Sequence, residues 1–361
     1  MMSTAPAANV IATPPTTTAS GVTVDDEARV SFLFRHSRAA SRVHVLQHLI
    51  QRWRAQRGAA PATSDVPLPC SAAAAPPAAQ RAPIDLGLLQ QRIAQLPALP
   101  RAATEALAKL RDETSSAEDS ARCIGTDLAL TARVLRLANS AFYGVPGRVG
   151  SVNRAIQILG KRTLRGALTA VALSGQFSAI PCEGFRFDGF WRHTIGAAIA
   201  AEAIARACAL DDETAFTAGV LHDIGRLALA AHFPRETAAM LELARTHDLP
   251  WLEAERLALG TDHATVGAAI AAHWHFPPAV QTAITAHHLP QPEGSAPSMA
   301  DVIHVADAIV HALDLAGDAN ESVPDIDPQA WQRLGLAPEQ ALELFQCVDQ
   351  GVTALCAALV D

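Results

Sequence analysis

Apolar residues recur at helical spacing almost without interruption from Leu86 to the end of the chain, and this periodicity limits the fold more than any other feature. Half of the 361 residues are hydrophobic but only 5% are aromatic, so the core must consist mainly of Ala, Leu, Val and Ile. Ala and Leu are strong helix formers. No stretch shows convincing β-alternation, since EGFRFDGF is short and broken by glycine. The sequence therefore predicts an all-α protein, a multi-helix bundle of two helical subdomains.

Cysteine usage and hydropathy exclude several classes of protein. The six cysteines form no CxxC pair, which excludes a zinc ribbon and disfavours a disulfide scaffold. Residues 1–20 lack the basic and apolar regions of a signal peptide. The most apolar run, 195–210, carries Glu202 and Arg206, so it is expected to be a buried helix rather than a transmembrane segment. Together these features predict a cytoplasmic protein with reduced thiols and no transmembrane segment.

Charge is distributed unevenly along the chain. Residues 1–84 carry a net charge of +4 and residues 85–361 a net charge of −12, which together give −8. Broad nucleic-acid binding needs a basic surface, so the acidic body argues against it. One basic cluster in the body is interpreted either as a solvated face or as a contact site for an anionic partner. Its members are Arg148, Arg154, Lys161, Arg162 and Arg165.

Residues 1–84 differ in pattern from the rest of the chain. Ala, Thr and Pro dominate 1–24, and an Ala- and Pro-rich linker covers 59–83, so both are expected to be disordered. Between them, Leu46, Leu49, Ile50 and Trp53 fall at helical spacing among arginines, which predicts one basic amphipathic helix over 26–57. That helix is expected to dock on the protein's own body, on a second copy as a homodimer contact, or on a membrane surface or partner. Residues 1–83 are expected to be dispensable for folding of the body.

Helix signals divide the remainder of the chain. Asp127 is placed to cap a helix, Gly160 ends another before 161–177, and a long helix pair is predicted over 190–209 and 212–231. The predicted domain organisation is one helical subdomain at 85–180, a second at 185–290, and C-terminal helices over 291–361 that complete the second bundle. Further helices are predicted at 235–247, 250–259, 262–273, 277–288 and 299–315, with two more at the C-terminus.

Histidine placement is the strongest chemical signal in the sequence. Eleven of the fourteen histidines lie between residues 193 and 311. His222 and Asp223 end the apolar run AFTAGVL, where a buried carboxylate is costly unless a cation pairs with it. Imidazole nitrogens and carboxylate oxygens are common ligands of Zn, Fe and Mn. The sequence therefore predicts a divalent metal site that includes His222 and Asp223.

Helix geometry limits how such a site can be built. Neighbouring residues on a helix point about 100° apart, so His222 and Asp223 can share an ion only at a helix end that faces a cleft. Other helices must then supply the remaining ligands, and a second ion bridged by Asp223 would use the histidines left over. The natural donors are His193, His263, His287 and Asp307. The other histidines are interpreted mainly as hydrogen-bonded core or surface residues, and these are His232, His247, His273, His275, His304 and His311.

Several separate segments resemble the HDOD family, the signalling branch of the HD phosphohydrolase superfamily. The resemblance extends from about Leu96 to Leu313 and implies that the second subdomain has the HD-superfamily fold. In family order, the similar segments are LPALP, LALTARVLRLANSAFYG, SVNRAIQILGKRTLRGALTAVAL, WRHTIGAAIAAEAIAR, AFTAGVLHDIGRLAL, LEAERLALGTDHATVGAAIAAHWHFP and AITAHH.

The resemblance also implies a set of metal ligands. The H…HD…D motif of the superfamily falls on His193, His222, Asp223 and Asp307. The binuclear HD-GYP phosphodiesterases carry further histidines. These match His263, His287 and His288. The implied cofactor is one or two divalent ions of Fe, Mn, Zn or Ni, and Asp223 is the catalytic candidate if the chain is active.

Three departures from the phosphodiesterase pattern fall around the same residues. Arg226 stands where those enzymes carry a Lys, and it becomes the candidate for binding a phosphate or another ligand group. Gly189 stands where they carry a Glu. The segment LPQPEGSAPS at 289–298 stands where they carry a Gly-Tyr-Pro motif. A metal pocket is therefore expected to survive without the complete substrate apparatus.

Three functions remain open at this point. The first is a bacterial-type signal-transduction module that acts on signalling proteins by direct contact, with a retained but catalytically weak or inactive metal pocket. The second is a metal-dependent phosphohydrolase or cyclic-dinucleotide phosphodiesterase. The third is a receptor for a small nucleotide ligand. The missing Glu and Gly-Tyr-Pro segment favour the first, for which residues 128–165 would provide an output surface unless they only pack against the second subdomain.

Overall fold

Helices make up the regular secondary structure of the protein. The computed structural model describes residues 24–37, 43–57, 83–96, 98–112, 114–140, 147–177, 180–290, 294 and 296–359. No strand occurs in these ranges, so the predicted all-α class is confirmed. None of the helices in them combines the length and the apolarity needed to span a bilayer. The expectations for 1–23 and for most of the Ala- and Pro-rich linker lie outside the described residues.

The first seven helices contain two of the predicted signals. Asp127 caps its helix by accepting a hydrogen bond from the Leu130 amide, and Gly160, at φ 75° and ψ 158°, interrupts a long helix where a break was predicted. The helices are α1 Val24–Leu33, α2 Val43–Arg57, α3 Leu86–Ala94, α4 Arg101–Arg111, α5 Ala117–Ile124, α6 Leu128–Ala138 and α7 Val152–Gln176.

The remaining helices follow the predicted spacing with one exception. The helix predicted over 212–231 is two helices, because the chain leaves helical geometry at Asp223, whose φ is −103° and ψ is 10°. The helices are α8 Phe187–Ala207, α9 Asp212–Leu221, α10 Ile224–His232, α11 Pro234–His247, α12 Trp251–Leu259, α13 His263–His273, α14 Pro278–Ala286, α15 Met299–Ala312, α16 Pro328–Leu334 and α17 Pro338–Leu359.

Helix α8 is the centre of the second half of the fold. It packs against α9, α15 and α17, and its side chains from Ala197 to Ala201 are buried. Small residues allow this close approach: a Cβ at Gly219 of α9 would lie only 2.6 Å from the Ala198 Cα. The tight contact leaves the end of α9 against the middle of α8. Helix α17 packs against both α8 and α6, so it connects a helix of the predicted second subdomain with one of the predicted first subdomain.

Two members of the predicted basic cluster make contacts inside the fold. Lys161 donates to the carbonyl oxygens of Asp112 and Ser115, and Arg165 forms an ion pair with Glu213. These contacts tie α7 to the end of α4 and to the start of α9. The cluster is therefore not one free basic patch.

The N-terminal helices correct the prediction of one separate helix over 26–57. The segment forms α1 and α2, and α2 packs against α15 and α17. Leu46 and Ile50 are fully buried, and Trp53 meets Phe345 edge to face at 6.2 Å. Of the alternatives, docking on the protein's own body is the one observed, and it covers the apolar face proposed for a homodimer. The expectation that residues 1–83 are dispensable for folding stays a prediction, which a comparison of the thermal stability of full-length protein and residues 84–361 would test.

Arg29 fastens α1 to the loop after α15. Its side chain is fully buried and donates to both carboxylate oxygens of Asp314, at 2.8 and 2.7 Å. It also donates to the carbonyl oxygens of Asp318 and Ala319. A buried guanidinium needs such complete pairing to offset the cost of leaving water. The loop over residues 314–319 is therefore held by a residue nearly 300 positions earlier in the sequence.

Replacing Arg29 with methionine should lower the free energy of unfolding by about 3–5 kcal/mol, because Asp314 would lose the partner of its charge. The measurement is urea denaturation of the full chain followed by circular dichroism. The matched control is Arg52→Met on α2, where the side chain is exposed and a change under about 0.5 kcal/mol is expected. Equal stability of the two variants would contradict the structural role of Arg29.

Candidate metal centre

The break between α9 and α10 places His222 and Asp223 side by side at two helix ends. His222 ends α9 and Asp223 precedes α10, and both are buried. His222 Nε2 and Asp223 Oδ2 lie 3.5 Å apart. Continuous helical geometry would have turned the two side chains about 100° away from each other. The predicted requirement of a helix end is met by an interruption at His222 and Asp223, with Gly219 and Gly225 on its two sides.

Close packing at Gly225 brings a third histidine to the same place. A Cβ at Gly225 would collide with the carbonyl oxygen of His263, so only glycine lets α10 approach the start of α13 this closely. His263 is fully buried at that start. Its Nε2 lies 3.2 Å from Asp223 Oδ1.

The first cluster consists of His193, His222 and Asp307, from α8, α9 and α15. His193 Nε2 lies 3.2 Å from His222 Nε2 and 3.1 Å from Asp307 Oδ1. His222 Nε2 lies 3.5 Å from the same Asp307 oxygen. Asp223 Oδ2 is 3.5 Å from each of the two histidine nitrogens.

The second cluster consists of His263, His287 and His288, from the start of α13 and the end of α14. His263 Nε2 lies 3.3 Å from His287 Nε2 and 2.7 Å from His288 Nε2. Asp223 presents Oδ1 to this cluster and Oδ2 to the first. All seven residues predicted as metal ligands therefore come together around Asp223.

Three of the histidine rings are oriented by a hydrogen bond at Nδ1. The bonds run from His222 to the Gly219 carbonyl at 2.8 Å, from His287 to the Ile284 carbonyl at 2.6 Å, and from His263 to the Glu255 carboxylate at 2.6 Å. Carbonyl and carboxylate oxygens only accept, so Nδ1 carries the proton in each bond. When these rings are neutral, Nε2 therefore presents a lone pair to the centre, which is the tautomer that metal-binding histidines adopt.

The carboxylates complete the fit to a divalent ion. Asp223 Oδ1 and Asp307 Oδ1 are buried and make no hydrogen bond, and Asp223 Oδ2 is buried with an ion pair to Arg226. Ligand bonds of about 2.1 Å put neighbouring ligand atoms about 3.0–3.4 Å apart, close to the distances within both clusters. Unbonded carboxylate oxygens beside lone pairs of imidazole are a donor set that a cation would satisfy. The residues present thus fit one or two divalent ions.

The charges of the centre agree with this donor set. Burial opposes ionisation of Asp223, but Arg226 and the surrounding histidines outweigh it and hold the pKa of Asp223 well below its usual range. Burial, together with His222 and His263, lowers the pKa of His287 to about 3. In the first cluster, Asp223 and Asp307 overcome burial and raise the pKa of His222. Metal binding needs charged carboxylates and neutral rings, and His287 is neutral beside the charged Asp223 at neutral pH.

Arg226 points into the centre rather than toward solvent. Its Nη1 lies 2.9 Å from Asp223 Oδ2, and its side chain is only 11% exposed. The guanidinium lies over the Trp251 ring, 5.0 Å from the ring centroid. The candidate ligand-binding arginine therefore neutralises Asp223 in this conformation.

Sequence reasoning missed three acidic or imidazole groups of the centre. Glu255 accepts from His263, and no local pattern could have paired it with a residue on the next helix. His311 Nε2 lies 3.2 Å from Asp307 Oδ1, and its position one turn after Asp307 was the available signal. Glu321 accepts from His311 Nδ1 at 2.6 Å from a loop. His304, in contrast, bonds backbone groups of His287 and of residue 327 and faces away from both clusters.

Access to the centre is narrow in the described part of the chain. A cavity of about 30 Å³ lies over His193 and His311, with Arg226, Trp251 and Glu321 in its walls. A larger cavity of about 570 Å³ adjoins it and shares Arg186, Trp251 and Asp318 with it. The segment 289–298, where the phosphodiesterases carry their Gly-Tyr-Pro motif, is described only in part.

An all-helical bundle with a histidine–aspartate centre at a broken helix is the arrangement that the resemblance to the HD superfamily implied. Residues 96–290, just over half of the chain, match the HDOD domain family, and the chain belongs to this family. The family inferred from the sequence segments is thereby confirmed.

Solved structures share the fold. An HDOD domain protein from Geobacter sulfurreducens is 21% identical with a TM-score of 0.62, and the match covers 77% of this chain and 100% of that one. A protein from Shewanella amazonensis SB2B, described provisionally as a phosphohydrolase, is 29% identical with a TM-score of 0.53 over 72% and 97% of the chains. A protein from Marinobacter aquaeolei VT8, described provisionally as a signal transduction protein, is 23% identical with a TM-score of 0.62 over 75% and 63%.

A relative is also found by sequence. It is an uncharacterized protein of Treponema pallidum (strain Nichols), 24% identical over 230 residues. The match covers 63% of this chain and 44% of the relative, so this chain spans less than half of that protein's length.

Gly225→Ala should destabilise the chain by about 1–3 kcal/mol, because the added methyl group has to push α10 away from the His263 backbone. The same shift should move His263 away from Asp223. Urea denaturation measures the loss, with Gly150→Ala as the control, since a Cβ at Gly150 meets no atom within 4 Å. If Gly225→Ala were as stable as Gly150→Ala, the close approach of α10 to α13 would be contradicted.

Proposed function

We propose that this chain is a regulatory HDOD module that binds one or two divalent ions in a closed centre and acts on signalling proteins by direct contact. One observation carries the proposal: His193 of the first cluster lines a cavity of only about 30 Å³, with Arg226 and Trp251 in its walls. Pockets for small organic ligands measure about 300–1,000 Å³. The opening is large enough for an ion or a water molecule but not for a nucleotide, which favours a regulatory centre over a catalytic one.

The two clusters would hold separate ions on the two sides of Asp223. The first cluster would bind one ion together with Asp223 Oδ2, and the second cluster would bind another together with Asp223 Oδ1. A nitrogen-rich set with carboxylates suits Fe, Mn, Zn or Ni. When bound, the ions supply positive charge that offsets the buried carboxylates. Their binding would therefore favour the closed arrangement of α8, α9, α13, α14 and α15.

Helix packing supports an output surface on the first subdomain. Helix α8 carries His193 and packs against α17, and α17 packs against α6. Leu128 at the start of α6 is 85% exposed, which is high for a large apolar side chain. A shift of α8 on loss of the ions would reach α6 through packed helices, which are physically able to transmit it. We therefore place the partner contact on the exposed side of α6, within the predicted surface 128–165.

A metal-dependent phosphohydrolase is the second candidate. It is favoured by the two oxygens of Asp223, each of which faces a separate cluster, as in binuclear hydrolytic centres. The adjoining cavity of about 570 Å³ would accept a nucleotide if Arg226 and Trp251 moved aside. The name of the Shewanella relative points the same way. Gly189 weighs against this candidate, because it provides no carboxylate.

Purified full-length protein should contain at least about one divalent ion per chain, measured by inductively coupled plasma mass spectrometry. Asp223→Asn should lose most of it, because that side chain faces both clusters. The matched control is Asp211→Asn at the start of α9, where asparagine also caps a helix and full metal content is expected. Equal metal content in the two variants would contradict the metal centre.

Cyclic di-GMP should show no multiple turnover with Mn²⁺, Fe²⁺ or Ni²⁺ bound, because the described opening excludes it.

In cells with a phenotype that depends on this protein, Leu128→Ser should abolish that phenotype, which is the output, while leaving metal content unchanged. Leu257→Ser, on the partly exposed face of α12, is the matched control and should keep the output. Multiple turnover that disappears in Asp223→Asn, with Leu128→Ser fully functional, would support the hydrolase instead.

A further inference from the structure

The corner of the centre next to Gly189 is closed by backbone. A Cβ at Gly189 would lie 2.9 Å from the carbonyl oxygen of Ala316, so this position has no room for a side chain. The loop after α15 is fastened there, because Arg192 donates to the Leu315 carbonyl at 2.9 Å and Arg186 to the Gly317 carbonyl at 2.6 Å. Any group that completes the centre on this side must therefore come from α15 or its following loop.

His311 enters the centre from that side. It lies one helical turn after Asp307, and its Nε2 is 3.2 Å from Asp307 Oδ1, almost the same distance that separates His193 Nε2 from that oxygen. The rings of His193 and His311 are 4.4 Å apart between centroids. One ligand atom from each of the three residues lies within 4.8 Å of the other two, which is close enough to surround one ion.

Glu321 orients the His311 ring. Its carboxylate accepts from His311 Nδ1 at 2.6 Å, which turns Nε2 toward Asp307 and His193. A carboxylate behind the distal nitrogen of a histidine is the arrangement that fixes metal-binding rings. His263 and Glu255 show the same pairing in the second cluster, also at 2.6 Å.

The N-terminal helix holds the loop that carries Glu321. Arg29 binds residues 314, 318 and 319, and Arg35 donates to the carbonyl oxygens of Asn320 and Glu321. The Val323 amide donates to the Leu33 carbonyl at 2.8 Å. Glu321 is therefore positioned by Arg29, Leu33 and Arg35, which lie outside the matched segment 96–290.

We propose that His311 is an additional ligand of the ion held by the first cluster, and that Glu321 is the positioning residue that orients it. This inference rests on the proposed metal centre. The pair takes the place of the carboxylate that Gly189 cannot provide, and it makes the first cluster depend on the N-terminal helix. The ion at the first cluster is then bound by three histidines and by Asp223 and Asp307.

Titration of metal-free full-length protein with Co²⁺ tests the ligand directly, because visible absorption of Co²⁺ reports its ligands. His311→Gln should weaken binding at the first cluster by more than 10-fold and change the absorption spectrum, while the second cluster still binds. Glu321→Gln should weaken the same site by about 10- to 100-fold. The matched control is His304→Gln, a buried histidine on the same helix whose two ring nitrogens both bond backbone groups, which should retain the wild-type binding at the first cluster. Circular dichroism confirms that each variant is folded.

The outcomes separate this inference from the function on which it rests. Wild-type protein that binds no Co²⁺ would overturn both. Wild-type binding with an unchanged spectrum and affinity in His311→Gln and Glu321→Gln would overturn the role of His311 alone. Equal losses in His304→Gln and His311→Gln would also overturn it, because the effect would then follow from removing any buried histidine of α15. If His311→Gln does not fold, Glu321→Gln decides the question, since it leaves the ring in place.

Discussion

Buried negative charge at Asp223 and Asp307 is the constraint on which the rest of this structure depends. An uncompensated carboxylate in a protein interior costs several kcal/mol, and neutral imidazole lone pairs offer no compensation. Arg226 reaches one oxygen of Asp223, while Asp223 Oδ1 and Asp307 Oδ1 make no hydrogen bond. The need for positive charge would be met by a cation that the converging ring nitrogens hold, and not by the neutral rings themselves. It also makes the stability of the helix arrangement depend on what occupies the centre.

The helices of both subdomains could be predicted because their sequence carries the relevant information locally. Apolar periodicity, Asp127 and Gly160 gave elements close to those observed. The interruption at His222 and Asp223 was not predicted as a break, because Gly219 and Gly225 lie on its two sides and an isolated glycine does not by itself end a helical pattern. What interrupts the helix is tertiary packing: α9 must end against α8, and α10 must begin against α13.

The candidate site was predictable in the histidines and aspartates that converge there, but not in the residues that support them. Histidines and aspartates in family order identify the two clusters. Glu255 and Glu321 have no such signal, because each acts through a contact between elements that the sequence does not pair. The N-terminal helices show the same limit: the amphipathic pattern of Leu46 and Ile50 indicates that a face is buried, but not that α15 and α17 cover it. The contact of Arg29 with Asp314 has no local signal either, because the two residues are 285 positions apart in the sequence.

Anomalous diffraction from crystals of the full chain grown with Mn²⁺ tests the central claim most directly. The account predicts one peak among His193, His222 and Asp307, with ligand bonds of about 2.0–2.3 Å, and a second peak at the second cluster when both ions bind. It also predicts that Trp251 still closes the opening. An empty centre at saturating Mn²⁺, with Arg226 still paired to Asp223, would contradict the account.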